Sequence, residues 1–596
     1  MAKNEIEVVR HSLAHLMAAA VKSFYPEVKF GMGPAIENGF YYDFDLGENK
    51  LAPENLKEIE VKMKKLIGGG FKFERKEVGV REAKTLFGGQ FYKLEILDDL
   101  EAKGEKIVSL YQSGDFIDLC RGPHVDAAKD LPVDGFKLTK IAGAYWKGGE
   151  KNPMLTRIYC VAFSSKKELD EYLKQQEEAE KRDHRKLGKE LDLFVFSDLV
   201  GKGLPLFTEK GATIRREMER FIIDEEIKRG YRHICTPELA KVDLYRVSGH
   251  YPYYKDTMYP VMKVDEEELI LRPMSCPHHF QYYASRPRSY KELPFRIAES
   301  AKLYRYEKSG ELSGLMRVRQ FCLADGHIIS QKEMAEKEID GALDLIEFCT
   351  NALGLKITRD YRYRLSLGDR NDEKKYYKDD NSWDYAEGVL REVLKKRQAE
   401  FFEAPNEAAF YGPKIDIQMK NLYGKEETAF TVQYDFVMPK RFELSYIDKD
   451  GIKQEPVVIH RSSIGALERI IAFLIEHYAG AFPVWLSPVQ VKILSVGESH
   501  IEFCQKLGDE LKLAGIRCEI DAADETLGNK IRKSAGEKIP YVLVIGDKEM
   551  AAASAKSSGE PMGDMLAVRD RGSKTARQIS KPDFIAEVCA KIKNRN

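Results

Sequence analysis

No run of about 18 apolar residues occurs in the chain, so no membrane-spanning helix is expected. The opening residues, MAKNEIEVVR, lack the apolar core of a secretory signal. Close cysteine pairs are missing too. The nine cysteines contain no CxxC, and an odd set of scattered thiols argues against a disulfide framework and for a reducing compartment, the cytoplasm. Short-period repeats and long low-complexity tracts are also lacking. Nor is there an excess of one charge: a net charge of −1 neither asks for nor excludes a nucleic acid, because a large RNA-binding enzyme can balance a basic face with acidic surface elsewhere.

What is present is 596 residues, 43% hydrophobic and 32% charged, a globular composition with room for about three to five domains. Residues 1–163 start as a helix and continue through strand-like runs such as 38–45 and 156–163. Residues 164–190 read as one helix, capped by Ser164 and Ser165 and polar on most faces, as a linker exposed between domains would be. Residues 191–482 combine a helix at about 212–229 with many short strands and a last apolar helix at about 463–478. The absence of regular crossover helices predicts an antiparallel α+β domain. Residues 483–596 alternate strands and helices as a small α/β domain does.

The most informative stretch is 302–330, KLYRYEKSGELSGLMRVRQFCLADGHIIS. Strand-like runs at 302–307 and 315–329 flank a loop rich in Ser and Gly, a hairpin with a long turn. Side chains alternate faces along a strand, so Arg305 and Glu307 share one face, as do Arg317, Phe321, Asp325 and His327. Guanidiniums, an aromatic plane, carboxylates and an imidazole on one surface suit a nucleotide: arginine grips phosphate through parallel charge-assisted hydrogen bonds and phenylalanine stacks a base. On parity alone, a cross-strand salt-bridge ladder explains the charges equally well. Further on, VVIHRSSIGALERIIAFLIEH reads as a strand and an apolar helix, with Gly465 and Arg469 one helical turn apart. Taken alone, Arg469 is an arginine snorkelling from a core helix.

Together these pieces resemble class II aminoacyl-tRNA synthetases. The hairpin resembles their motif 2 and the strand–helix their motif 3. The helix ending at Gly230, with the run 231–238 containing Pro237, resembles motif 1, which forms the dimer interface in that class. With RPMSCP at 272–277 and YGPKID at 411–416, the pattern is similar to threonyl-tRNA synthetases along essentially the whole chain. The resemblance implies a homodimer that joins L-threonine to tRNA(Thr) through an adenylate, using ATP with Mg²⁺. It implies that Arg305 binds the α-phosphate, Glu307 reads the adenine amino group, Phe321 stacks on the ring, and Arg317 and Arg469 hold the outer phosphates. Lys414 falls near the reacting carboxylate, so Arg305, Lys414 and Arg469 are the implied catalytic residues. Asp325, Tyr411, Gln433 and His250 are the implied substrate contacts. In-line displacement at phosphorus asks for such positioning and charge. Leu323 and Thr428 stand where many members have glutamine.

Threonine differs from valine by hydroxyl against methyl, which an apolar pocket separates poorly and a hydroxyl-binding site separates well. A zinc ion with an open position is one such site. The family's Cys and two His match Cys276, His327 and His460, although their wide spacing alone carries little. The family's usual Cys-Pro-Gly-His is Cys276-Pro277-His278-His279 here, so His278 is expected to crowd the set or compete as a ligand.

Serine lacks only a methyl, worth about 1–3 kcal/mol, so a second sieve is expected. HSLAHLMA puts His11 and His15 one helical turn apart; DLCRGPHV puts Cys120 and His124 four apart, beside Asp118. Three readings stand: a zinc site, a set that orients water against an ester, or ordinary buried polar residues. The resemblance is to the editing domain of bacterial-type threonyl-tRNA synthetases, in which this set hydrolyses Ser-tRNA without a required metal. The related alanyl domain can hold zinc. Tyr42 and Lys93 are weaker candidates for this pocket. The family commonly begins with a ubiquitin-like domain, whereas this sequence begins at the editing region.

Residues from about 484 resemble the class IIa anticodon-binding domain, with Glu549 and Arg569 in the places of base readers. Unstacked anticodon bases offer edges that such side chains can bond. Solvated charges at strand ends are the plain alternative. The Gly/Ser-rich AAASAKSSGEPMGD between them reads as a mobile loop.

Overall fold

Helix α1 (Lys3–Phe24) buries Val9, Leu13, Leu16, Met17, Ala20 and Val21, an apolar stripe at helical spacing that commits one side to a core. It opens a computed structural model that describes residues 3–149, 151–554 and 565–596 and divides into two units, Met1–Glu177 and Glu178–Asn596. In the first unit, α1 packs on strand β1 (Gly39–Asp45). A three-stranded antiparallel sheet runs β2 (Phe73–Gly79), β3 (Ile107–Ser113), β4 (Phe116–Leu119), with helix α2 (Phe91–Ala102) between β2 and β3. Strands β5 (Phe136–Tyr145) and β6 (Met154–Ala162) complete the sheet that holds β1.

The single helix expected over 164–190 is two, α3 (Lys166–Arg182) and α4 (His184–Glu190). Ser165 Oγ caps α3 as foreseen, accepting from Glu168 N at 3.3 Å. Asp183 interrupts, because its carboxylate accepts from Arg185 N at 2.8 Å and caps a new helix. The division between the units falls inside α3.

The second unit is organised on an eight-stranded sheet. In chain order it contains helix α5 (Glu209–Lys228), β7 (Arg232–His233), helix α6 (Cys276–Ala284), β8 (Phe295–Tyr304), β9 (Gln320–Ser330), helix α7 (Ala335–Ala352), β10 (Tyr361–Ser366), β11 (Phe401–Ala404), β12 (Lys414–Lys420), β13 (Glu426–Asp435), β14 (Val457–Ala466) and helix α8 (Leu467–His477). Across the sheet the order is β7-β8-β9-β14-β13-β12-β10-β11, antiparallel except at the two outermost pairs. One face, with Ile328, Ile459 and Tyr434, joins the largest apolar core beneath α5, α7 and α8. On the other face Ile297, Ile329 and Val458 pack with Phe280 and Cys276 of α6. Helix α8 is apolar almost all round and correspondingly buried.

Two sequence expectations shift here. The helix foreseen from 463 starts at Leu467, and Gly465 ends β14 instead of lying a turn before Arg469. Gly465 has φ +71°, and a Cβ there would meet the Ala429 carbonyl oxygen at 2.4 Å, so glycine closes the strand at a point of tight approach. The hairpin strands also end earlier than foreseen: β8 stops at Tyr304 and β9 begins at Gln320. Arg305, Glu307 and Arg317 therefore sit in the connecting loop, off the ladder.

The final segment is a five-stranded sheet, β16-β15-β17-β18-β19, made of β15 (Val491–Ser495), β16 (Cys518–Asp521), β17 (Tyr541–Ile545), β18 (Met565–Asp570) and β19 (Arg577–Ser580). Between β17 and β18 lies helix α9 (Asp547–Ser554). The loop expected over 551–564 thus begins as the end of that helix, and residues 555–564 lie outside the described residues. No helix among the described residues is long and apolar enough to cross a membrane.

Candidate functional site

A single row of paired residues crosses the large sheet: Ile297, His327, His460, Gln433, Lys414 and Ser366, each the cross-strand partner of the next. Directly paired residues share a face, so four expected site residues from four strands stand side by side. Cys276 reaches this row from the first turn of α6. The ligand atoms of Cys276, His327 and His460 all lie within 4.8 Å of one another. Burial holds His327 well below the ordinary imidazole pKa, helped by His460 and His279, so the ring carries a lone pair. Burial and the carboxylates of Asp325 and Asp435 push the Cys276 thiol upward; a bound cation would reverse that and hold thiolate.

Each histidine is also held from behind. His460 Nε2 lies 2.7 Å from Asp435 Oδ2, whose Oδ1 accepts from Val437 N and Met438 N at 2.9 Å. His327 Nδ1 lies 2.8 Å from His279 Nδ1, and His279 Nε2 lies 3.1 Å from Glu299 Oε2. Such outer partners orient ligands for a metal. His278 stays out of the set among the described residues. Its ring lies 6.4 Å from Tyr245 with both nitrogens unpaired, because consecutive helical positions point about 100° apart. Asp435, His279 and Glu299 were missed in the sequence. Only His279, next to Cys-Pro-His, carried any local signal.

The implied substrate contacts surround this cluster. Asp325 accepts from Ser275 Oγ, a further residue the sequence reading missed. Tyr411 stacks on His460 at 5.0 Å and donates to Gln433 Oε1 at 2.6 Å. His250 is buried, bonded to Ser248 Oγ at 2.8 Å, and pushed down to about 3 by burial, with His460 and Arg441 adding to the shift. Lys414 Nζ pairs with Asp416 at 3.0 Å.

In the hairpin, Phe321, Asp325 and His327 do share a face, in unbroken register with Leu303, Glu299 and Ile297. Arg305 lies over the Phe321 ring at 5.1 Å. Arg317 pairs with Glu307 at 2.7 Å and Glu311 at 3.1 Å, within the connecting loop and not as the cross-strand ladder of the plain reading. Arg469 donates to the Thr428 and Met316 carbonyls at 2.9 and 3.1 Å and has no carboxylate partner there. Burial lowers its pKa, and Arg305 and Arg317 lower it further. The positive charge of Arg305 and Arg317 is thus felt at Arg469.

In the first unit, His11, His15, Cys120 and His124 bring their ligand atoms within 4.8 Å. The turn that returns Cys120 and His124 to α1 passes through Gly122, at φ +70°, where a Cβ would strike Tyr111. Cys120 Sγ lies 3.2 Å from both His11 Nε2 and His124 Nε2. His124 Nδ1 is engaged by Ser12 Oγ at 3.0 Å. Burial lowers His11, pushes His124 down to about 2 and drives Cys120 up to about 12. One S–H proton cannot serve two imidazole lone pairs, so the set is fitted to hold a further cation or a proton-donating water. Behind it, Lys93 and Tyr42 bind Asp118 at 2.6 and 2.5 Å, and Asp118 lies 3.9 Å from His15. His11, His15, Cys120 and Asp118 line a cavity of about 570 Å³ whose wall is apolar at Ile96, Leu100 and Val108.

Among the described residues, the last segment brings its two candidates no common contact. Glu549 Oε2 accepts from Gly546 N at 3.0 Å and so caps α9. Arg569 lies on β18 opposite Val542, with a buried Nε that has no partner.

Comparison with known proteins covers these regions in turn. Residues 108–159 match the family described as threonyl and alanyl tRNA synthetase second additional domain. Residues 259–478 match the tRNA synthetase class II core domain (G, H, P, S and T), and residues 490–591 match an anticodon binding domain. A threonine–tRNA ligase of Geobacillus sp. is 48% identical over 591 residues, which is 99% of this chain and 89% of that protein. One from Staphylococcus carnosus is 47% identical over 590 residues, covering 99% and 88%. Among solved structures, the RNA binding domain of threonyl-tRNA synthetase from Cryptosporidium parvum superposes with a TM-score of 0.63 at 33% identity, over 69% of this chain and 98% of that one. A putative threonyl-tRNA synthetase from Aeropyrum pernix gives 0.60 at 26%, over 70% and 96%.

Proposed function

The chain belongs to the threonine–tRNA ligases, and on that premise we propose how its residues divide the work. The enzyme charges tRNA(Thr) with threonine, using ATP, and edits mischarged tRNA. Residues 191–482 are the catalytic domain, 1–163 the editing domain, 164–190 the linker and 483–596 the anticodon-binding domain. Arg305 binds the α-phosphate where the threonine carboxylate attacks, with Lys414 alongside. Arg317 and Arg469 hold the outer phosphates, and Mg²⁺ accompanies the nucleotide. Arg305 offers guanidinium edges free of carboxylate, and Arg469 is braced by carbonyls alone, so both keep their charge for the developing negative charge in the transition state. Phe321 stacks the adenine and Glu307 reads its amino group.

The donors fit zinc: Cys276, His327 and His460 supply the sulfur and two nitrogens of a site with an open fourth position, and both rings are tied from behind. When bound, zinc would supply Lewis-acid chemistry for the amino and hydroxyl groups of threonine; valine has the amino group but no hydroxyl. Asp325, Tyr411, Gln433 and His250 shape the rest of the pocket. The observation that carries this reading is the single cross-strand row joining His327, His460, Gln433 and Lys414.

For editing, His11, His15, Cys120 and His124 orient water against the seryl ester. Their uncharged imidazoles accept a proton from it, and the Lys93–Asp118–Tyr42 network holds His15 in place. In the anticodon domain Glu549 and Arg569 are the base readers, although Glu549 Oε2 is engaged by the helix cap. The enzyme works in the cytoplasm as a homodimer; the two-residue β7, at the edge of the sheet after α5, supports pairing there.

ATP–pyrophosphate exchange with threonine, valine and serine, together with a zinc count per chain, tests the reading. Threonine-selective exchange with one zinc supports a metal-free editing site, and two zincs support a metal-bound one. Exchange that prefers valine or survives complete zinc removal overturns the account of threonine choice.

A further inference from the structure

We propose that Glu299 and His279 form a positioning pair that fixes which ring nitrogen His327 presents to a metal. The inference rests on the zinc reading above and goes beyond the three ligands. Glu299 is buried and accepts from four groups: Thr236 N at 3.1 Å, Thr236 Oγ1 at 2.7 Å, Arg272 Nη2 at 3.1 Å and His279 Nε2 at 3.1 Å. Serving all of them makes it an acceptor only, so the His279 proton lies on Nε2. The next contact joins two like atoms, His279 Nδ1 and His327 Nδ1, 2.8 Å apart. One of the two must donate. If His327 is to keep a lone pair for the cluster, the assignment that gives each pair one donor and one acceptor has His327 Nδ1–H donating to His279 Nδ1. The His327 lone pair then lies on Nε2.

His460 reaches the same end by a shorter route, because its Nε2–H donates directly to Asp435, and its lone pair is on Nδ1. The two histidines are direct cross-strand partners, and they present opposite nitrogens to the same point. Arg272 fastens the relay to the frame, since its Nε donates to the Lys302 carbonyl at 2.7 Å while the guanidinium pairs with Glu299. His279 and Glu299 touch neither substrate nor nucleotide in this scheme; they act through His327.

The full chain tests this with zinc affinity, measured by chelator competition, and with the absorption of the Co²⁺-substituted protein. E299Q and H279L are expected to weaken zinc binding by about 10–100-fold. Excess zinc should restore threonine-dependent exchange in both, which a merely structural defect would not allow. H279Q keeps an oxygen that can accept the same proton and should retain more zinc than H279L. A zinc-loaded crystal structure of the unaltered chain supplies a measurement independent of any variant: His327 should bind through Nε2 and His460 through Nδ1. Unchanged affinity in both E299Q and H279L, or zinc on His327 Nδ1, overturns the positioning pair. If the unaltered chain binds no more zinc than C276A, the zinc reading itself fails instead.

Discussion

Among the described residues stand two compact sets of cysteine and histidine, and their outer partners differ. In the editing unit, helix α1 and one glycine turn bring four residues together, with a serine hydroxyl and the Pro123 backbone as the outer partners of His124 and His11. In the catalytic unit, two strands and a helix bring three residues together, and both histidines lead to buried carboxylates, Asp435 directly and Glu299 through His279. The outer partners of the first set are neutral: Ser12 Oγ donates to the Val8 carbonyl at 2.9 Å and so accepts from the His124 ring. Those of the second end on carboxylates, and a hydrogen bond to a charged group is roughly twice as strong as one between neutral groups. The second set is therefore tied the more firmly, most directly at Asp435.

The largest effect expected from separating the two halves is on Arg305→Ala. Threonine-dependent ATP–pyrophosphate exchange should fall by about 10²–10³-fold or more, as for loss of a main transition-state donor, while hydrolysis of Ser-tRNA(Thr) is untouched. The converse double change, Cys120→Ala with His11→Ala, should slow Ser-tRNA(Thr) hydrolysis by about 10²-fold or more and leave threonine exchange intact. Clearance of Ser-tRNA(Thr) at the normal rate by that variant would remove this set from editing. The contrast of outer partners predicts a smaller, graded pair. Asp435→Asn should cost about 10–100-fold in zinc affinity, whereas Ser12→Ala should change editing rate by only a few-fold, since losing a neutral hydrogen bond is worth about 1 kcal/mol. Equal effects of the two substitutions would erase the distinction drawn between the sets.

The two sets also differ in how far the sequence revealed them. His11/His15 and Cys120/His124 are close pairs, visible as local spacing, and the structure needs only one turn at Gly122 to join them. Cys276, His327 and His460 lie far apart in the chain, and pairing of β9 with β14 is a long-range event that no local pattern encodes; family resemblance supplied it. The Asp435 and Glu299 partners were illegible for the same reason. Face assignment succeeded for Phe321, Asp325 and His327, because a regular strand fixes alternation. It failed for Arg305, Glu307 and Arg317, where the chain had already left the ladder. Gly465 was misassigned to the helix because glycine at φ +71° leaves no hydrophobic signal to mark the end of a strand. In the last segment, strands at 541–545 and 565–570 were readable from apolar runs, but the capping use of Glu549 depends on where its helix starts.

Acid offers the smallest and most local test of the same contrast. Its four donors hold the Glu299 carboxyl down at about 2, with the His279 and Thr236 hydrogen bonds and Arg272 outweighing burial. A carboxyl with a depressed folded pKa adds its full stability above the unfolded value, about 4.5, and loses it as pH falls toward 2. From pH 6 to pH 4 the loss is on the order of 1 kcal/mol, set by the unfolded state taking up the proton that the folded state refuses. A multidomain chain does not unfold in one step, so a global midpoint would blur this. Hydrogen exchange at the amides of β8 and β9, followed in the metal-free protein, reads the local opening instead. Protection there should fall about fivefold from pH 6 to pH 4, after correction for intrinsic exchange. Glu299→Gln, which has no proton to gain, should start lower and stay flat. An equally steep decline in the glutamine variant would place the acid sensitivity in another group and leave Glu299 without its assigned charge.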